Sequence, residues 1–143
     1  MSYFFIEPEV AGGLGHHTIL DSSTHPPKIE KLHYTFDGWL GDVLLESFPC
    51  YIVTKSVGNK MLQADLTGFS FDKVETSASD EFAEFYPARV LPEFFWLKVT
   101  GKAEFDDFGV AEDLRLVISS RALELFQANG LENALKINGV RLH

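Results

Sequence analysis

Histidines are concentrated in one early segment of the chain. That segment contains His16, His17, His25 and His33, with Asp21 and Asp37 nearby. Imidazole and carboxylate groups together are ligands for divalent metals. The spacings match no helical ligand pattern, and adjacent histidines point to opposite sides of an extended chain. Two interpretations follow: polar loop residues, which the spacings favour, or a small metal-dependent hydrolase using His16, His17, His25 and Asp21.

A second candidate is a run of alternating carboxylates and aromatic rings after residue 103. Such a run suits general acid–base chemistry, calcium binding or contact with a protein. It lacks the ligand spacing of an EF-hand calcium loop. A solvated turn and a partner-binding patch remain the main alternatives. The candidate partner contacts are Glu104, Phe105, Asp106, Asp107, Phe108, Glu112 and Asp113, with Phe105 and Phe108 as anchors.

The remaining motifs do not point to catalysis. The glycines at 12, 13 and 15 have neither dinucleotide-binding nor P-loop spacing, so they predict a flexible loop. Cys50 is the single cysteine and precedes an apolar run, which predicts a buried structural thiol and excludes an intramolecular disulfide. Trp39 is either a core residue or an interface residue. We therefore expect a protein that is not an enzyme and needs no cofactor or metal.

Charge is distributed unevenly along the 143 residues. Acidic residues number 21 against 12 basic ones, which makes the formal net charge −9. The segment 72–113 holds 11 of these acids and four bases, whereas 114–143 is net positive. Direct binding to nucleic acid needs an excess of Lys and Arg, so it is not expected. The acidity suits solubility or a basic protein partner.

Targeting signals are not recognisable in the sequence. The first residues lack the basic and apolar regions of a signal peptide, and no apolar run approaches the length of a membrane span. The expected location is the cytoplasm. A hydrophobic content of 45% is too high for disorder.

Short strands and helices alternate along the chain. Strands are predicted at 3–6, 32–36 and 94–99, and short helices at 42–48 and 79–85. Val10 to Pro27 is predicted to be irregular. This pattern predicts a single α+β domain, spanning 1–143, with a mixed or mainly antiparallel sheet.

Two stretches are similar to each other. Residues 51–74 and 114–137 each predict strand, capped helix, turn and strand. A shift of 64 positions aligns Val53 with Val117, and Ser56 with Ser120. The match indicates two strand–helix–strand units. It arises either from duplication or from the sequence pattern that all such units share.

Several motifs resemble a family of small bacterial proteins. They are Pro8-Glu9-Val10-Ala11-Gly12-Gly13, Phe36-Asp37-Gly38-Trp39-Leu40-Gly41-Asp42, Phe48-Pro49, Leu91-Pro92, Trp96-Leu97, Asp106-Asp107-Phe108 and the run from Leu116 to Leu123. The chain is similar to the uncharacterised domains assigned as immunity proteins of polymorphic toxin systems. The resemblance implies a protein that neutralises a cognate toxin, and it carries no catalytic residues.

The resemblance agrees with the acidity of the chain. Many toxin domains are nucleases with basic clefts, to which an acidic partner would be steered. We expect an immunity protein that occludes a toxin with a basic surface. A metal-dependent hydrolase and a protein-binding module of another role are the alternatives.

Overall fold

Strands dominate the architecture, which we describe from a computed structural model. The described residues, 2–138, form 13 strands and three short helices in one α+β domain. The strands are β1 (Tyr3–Glu7), β2 (Gly12–Leu14), β3 (Ile19–Asp21), β4 (Lys28–Lys31), β5 (His33–Phe36), β6 (Leu44–Ser47), β7 (Cys50–Thr54), β8 (Phe69–Lys73), β9 (Glu75–Ala78), β10 (Phe94–Val99), β11 (Phe108–Val110), β12 (Leu116–Ser119) and β13 (Leu135–Asn138). The helices are α1 (Lys55–Gln63), α2 (Asp80–Phe85) and α3 (Ser120–Ala128).

These strands form three sheets and a separate hairpin. Sheet one has the order β11-β12-β1-β13, and sheet two has the order β6-β7-β10-β8. Sheet three has the order β2-β5-β9, in which β5 and β9 run parallel. Strands β3 and β4 form the hairpin. Every pairing in sheets one and two is antiparallel, so the expected mixed or mainly antiparallel α+β fold is confirmed.

Sheets one and two have the same topology. In each, a hairpin leads into a nine-residue helix, and the helix leads to a strand at the far edge of the sheet. Thr54 caps α1 and Ser119 caps α3, each by accepting a backbone N–H bond from the residue three positions later. Sheets one and two, each with its helix, are therefore two equivalent units, whereas sheet three, the hairpin and α2 lie outside them.

Register shows that the offset between the units is 65 residues. Strand β10 pairs Phe95 with Val53 and Lys73, whereas β1 pairs Phe4 with Ile118 and Asn138. Val53 thus corresponds to Ile118, not to Val117 as a shift of 64 predicts. The 64-residue shift does hold for the first strand of each hairpin, where Leu44 and Phe108 face these two residues. Between these paired residues, the β11–β12 hairpin contains one residue more than the β6–β7 hairpin, which accounts for the change.

The central strand of each sheet is exchanged between the units. Strand β1, from the beginning of the chain, lies in the sheet built from residues 108–138. Strand β10, which precedes that segment, lies in the sheet built from residues 44–73. Each sheet therefore depends on a strand from the other half of the chain.

One core lies between the two units. Equivalent residues meet there, with pairs such as Ile6 and Leu97, and Met61 and Phe126, each at most 1% exposed. The helices α1 and α3 contact each other beside this core. Its burial of aliphatic and aromatic surface supplies the main stabilisation of the fold.

Three local predictions are wrong. Residues 42–48 do not form a helix, because Leu44–Ser47 pairs as strand β6 with Cys50–Thr54. Both faces of that strand are covered, so Leu44 and Leu45 are each fully buried and the polar–apolar alternation of an exposed strand is missing. The glycine segment is not a flexible loop either, since Gly12–Leu14 is strand β2. The stretch from Val10 to Pro27 is likewise not irregular throughout, because it also contains strand β3, which pairs with β4. A Cβ on Gly12 would lie 1.8 Å from the Thr35 carbonyl oxygen, so this close approach requires glycine.

Cys50 is buried and unpaired, as predicted. Burial raises the pKa of its thiol to about 12, so the thiolate needed for a nucleophile does not form near neutrality. Within residues 2–138, no helix is long and apolar enough to cross a membrane.

Candidate protein-binding site

The face of sheet one that points away from the core is incompletely covered. Strand β1 directs Phe4 and Ile6 into the core and Tyr3 and Phe5 to the opposite face, as the period of two requires. Tyr3 and Phe5 remain half-buried. They pack with Ala103, Ala111 and Val117 in a small apolar cluster outside the main core.

The equivalent face of sheet two is covered by sheet three. By register, Tyr3 and Phe5 correspond to Phe94 and Trp96 of β10. Those two residues are buried in a second core cluster that includes Tyr34 and Phe36 of β5. The same surface is therefore covered in one unit and open in the other.

A groove of about 760 Å³ lies over the open face, and we call it the acidic groove. The β1 strand, the segment 101–104 and the β11–β12 turn surround it. Its lining residues are Phe5, Gly101, Lys102, Ala103, Glu104, Val110, Ala111, Glu112, Asp113 and Arg115. Glu104, Glu112 and Asp113, which the sequence proposed as partner contacts, thus share one groove.

Arg115 stands at the floor of the acidic groove. Its guanidinium lies 3.7 Å from the centre of the Phe5 ring, and its Nε donates to Asp113 at 2.7 Å. The Asp113 carboxylate also accepts the Arg115 backbone N–H. These contacts hold the pKa of Asp113 below its usual value, first through the backbone hydrogen bond. A cation stacked on an aromatic ring is thereby fixed inside a groove that three carboxylates and two basic residues, Lys102 and Arg115, line.

Nearby carboxylates also act on Tyr3, which belongs to the same apolar cluster as Phe5. Burial raises the pKa of the Tyr3 hydroxyl, and the charges of Asp107, Asp106 and Glu104 raise it further. The contribution of the three carboxylates places negative charge close to this aromatic side chain. A partner that brings positive charge would be favoured there.

Two of the predicted contacts lie inside the fold. Phe108 is fully buried, with its ring against Phe69 and Phe126, so it cannot serve as an exposed anchor. Asp107 is 4% exposed and binds Arg121 through two hydrogen bonds, of 2.8 and 2.7 Å. It also accepts from the Ser119 hydroxyl and the Thr67 backbone N–H. We correct the prediction for both residues, because their side chains are engaged in intramolecular contacts.

The other two predicted contacts lie near the groove without lining it. Phe105 is 79% exposed, as an anchor would need to be. Asp106 is half-buried and accepts the Lys102 backbone N–H at 2.8 Å, which shapes the turn that carries Glu104 and Phe105. Asp106 therefore positions this wall of the groove.

The sequence analysis missed Phe5, Val110 and Arg115. Alternation within Tyr3–Glu7 is a signal that one face of this strand differs from the other. The position of Phe5 beside Arg115 is not visible in the sequence, because β1 and β12 pair across more than 100 residues of chain.

The histidine segment forms a different cluster from the one expected. His17 meets His33 and Glu75, and the donor atoms of these three lie within 4.8 Å of one another. His16, His25 and Asp21 are not part of this group. The donor types suit a divalent metal. Binding would also require free donor atoms that converge on one point.

Hydrogen bonds already occupy three of the four ring nitrogens of this cluster. His17 Nδ1 lies 2.7 Å from a Glu75 oxygen, and His33 Nε2 lies 2.7 Å from the Ser77 hydroxyl. His33 Nδ1 accepts the His17 backbone N–H, which leaves Nε2 as the protonated nitrogen of the neutral ring. The two rings are stacked at 4.9 Å and 25°, so their in-plane lone pairs do not converge on one point. An ion would have to displace these bonds and rotate a ring.

Trp39 is half-buried and lies outside both the acidic groove and the histidine cluster. Its indole N–H donates to the Asp42 carbonyl at 3.0 Å, and the Arg89 guanidinium lies 4.7 Å from its ring centre.

Comparisons of the chain with protein-family models, with curated proteins and with solved structures returned no match.

Proposed function

We propose that this protein is a binding protein of the immunity type, which neutralises a cognate bacterial toxin by covering its active site. The observation that carries the proposal is the open aromatic face of sheet one with its acidic groove. The equivalent face of sheet two is closed by another sheet. The open face of sheet one therefore suits a protein partner that would cover it in a similar way. Asp113 is already paired with Arg115, so the carboxylates of Glu104 and Glu112 are the ones that favour an occupant with a basic surface.

Occlusion explains how such a protein would act without catalysis. A basic cleft in the toxin would be steered to the groove by charge, and apolar contact with Phe5, Val110 and Phe105 would then hold it. The resemblance of the sequence to immunity proteins supports the same interpretation. Cytoplasmic residence belongs to this proposal as well.

The proposal implies that the cognate toxin is encoded beside this protein. Two assays therefore test it with the product of the neighbouring gene. The protein is expected to co-purify with that product and to protect cells that express it. Failure of both assays would contradict the immunity function.

Charge reversal tests the location of the interface. In the double variant Glu104→Lys and Glu112→Lys, association with the captured partner should slow by about tenfold at low salt. The matched control, Glu84→Lys and Glu124→Lys, changes net charge equally at exposed positions outside the groove. Equal slowing in both variants would show that only net charge matters and would remove the groove from the interface.

A further inference from the structure

A second groove, of about 390 Å³, adjoins the acidic groove. It lies between the end of β1 and the β6–β7 hairpin. Asp113 and Arg115 line both grooves, so the two form one continuous surface. Val10 and Phe48 line the second groove and are 66% and 47% exposed, which leaves apolar walls open to solvent.

Two carboxylates in this second groove form no ion pair, although Arg115 also lines it. Glu7 and Glu46 both line it, and burial followed by the charge of Glu7 raises the pKa of Glu46. Among residues 2–138, no lysine or arginine forms an ion pair with either carboxylate. Asp113, the third carboxylate, is already paired with Arg115. A cation placed between Glu7 and Glu46 would relieve their repulsion.

The walls of the groove restrict which cation fits. Val10 and Phe48 offer an apolar surface beside the carboxylates, and the buried Tyr51 closes the floor. An arginine side chain combines an aliphatic stem with a planar head that binds carboxylates through paired hydrogen bonds and stacks on aromatic rings. A hydrated metal ion would make no use of the apolar walls.

We propose that this groove receives an arginine side chain from the surface of a partner protein. The guanidinium lies between the carboxylates of Glu7 and Glu46, and the aliphatic stem lies against Val10 and Phe48. The inference rests on the proposed function insofar as the partner is the toxin. It adds the chemistry by which the toxin would be recognised: an arginine flanked by apolar residues, adjacent to the surface that fills the acidic groove.

A peptide titration tests the groove without the toxin. The probe is acetyl-Leu-Arg-Leu-amide, added to isotope-labelled protein while amide chemical shifts are recorded by NMR. Shifts are expected at Glu7, Glu46 and Phe48. The same peptide with citrulline in place of arginine keeps the shape but removes the charge, and it should bind about tenfold more weakly.

Matched variants assign the effect to the two carboxylates. The double variant Glu7→Gln and Glu46→Gln should weaken the arginine peptide by about tenfold. The control, Glu84→Gln and Glu124→Gln, alters net charge equally at exposed positions that line neither groove. Equal binding of the citrulline peptide, or no loss in the Glu7/Glu46 variant, would overturn the proposal. Shifts at the same residues with calcium chloride but not with the arginine peptide would assign the groove to a metal ion and overturn it too.

The toxin assays separate this inference from the proposed function. If the toxin is bound and the Glu7/Glu46 variant retains full affinity for it, the arginine groove is wrong while the immunity function stands. If the neighbouring gene product is not bound but the peptide results hold, the immunity function is wrong while the groove stands.

Discussion

Asp106 and Asp107 are adjacent, chemically identical side chains with different roles. Asp106 accepts one backbone N–H in its own turn, whereas Asp107 meets Thr67, Ser119 and Arg121 from distant parts of the chain. Arg121 also donates to the Ala64 and Asp65 carbonyls, beyond the end of α1. Asp107 thus ties the start of α3 to the loop after α1, and so joins the two units. Composition identifies the acidic segment but cannot separate these two residues, because the distinction lies in long-range contacts.

The Asp107 carboxylate should stabilise the fold in a pH-dependent way. Although burial opposes ionisation, the hydrogen bonds from Arg121 and Ser119 prevail and lower its pKa from 3.8 to about 2. Because this carboxyl is more acidic in the folded chain than in the unfolded one, its contribution is complete above about pH 4. The contribution is lost as pH falls toward 2, and it amounts to about 2 kcal/mol.

Urea unfolding of Asp107→Asn measures this contribution. At pH 7 the variant should be less stable than the unaltered protein by at least about 2 kcal/mol. The difference should shrink as the pH is lowered from 4 to 2. Glu124→Gln, at an exposed position, serves as the control and should change little. A difference that stays constant down to pH 2 would rule out the charge as the source of the stability.

At the scale of elements, local patterns predicted most of the strands and helices whose ends are marked in the sequence, for example by a capping residue, a proline or a glycine. The helix predicted at 79–85 is α2, which Ser79 caps, and the aromatic run Phe94–Val99 is strand β10. Strand β6 was mistaken for a helix because contacts on both faces bury its leucines, which hides the period of two. The candidate site was predicted only on its acidic side, since the apolar side comes from β1. Register, and with it the 65-residue offset, depends on pairing that no local pattern records.

Backbone packing fixes the segment that forms one wall of the acidic groove. Gly68 has a φ of +94°, and a Cβ there would lie 2.3 Å from the Phe108 carbonyl oxygen. Its own carbonyl accepts the Thr100 and Gly101 N–H groups at 2.9 Å. The loop after α1 therefore holds the chain on both sides of residues 102–107.

Gly68→Ala should destabilise the protein by about 3 kcal/mol, because it combines a strained φ with a clash against backbone. Thermal and urea unfolding measure the loss. Gly38→Ala is the matched control, since nothing lies within 4 Å of the added methyl group and its φ is not positive. Similar stability of the two variants would show that this loop adapts and does not hold the groove wall.

For the whole molecule, the exchange of central strands makes the two units interdependent. A chain cut between α2 and β10 gives one piece that lacks the centre of sheet two and another that lacks the centre of sheet one. In the first piece, β7 and β8 would expose backbone groups that β10 normally satisfies. The shared core would also be divided, because equivalent residues of both units meet in it.

Fragments 1–90 and 91–143 are therefore expected not to fold separately. Each alone should lack a cooperative thermal transition, and their equimolar mixture should regain one together with a 1:1 complex in size-exclusion chromatography. Backbone amides of β1 and β10 should be protected from hydrogen exchange only in the mixture, because each strand completes a sheet made by the other fragment. Cooperative unfolding of either fragment alone would show that its sheet closes without the exchanged strand. The dependence would then lie in the core between the units, where Ile6 and Leu97 face the helices α1 and α3.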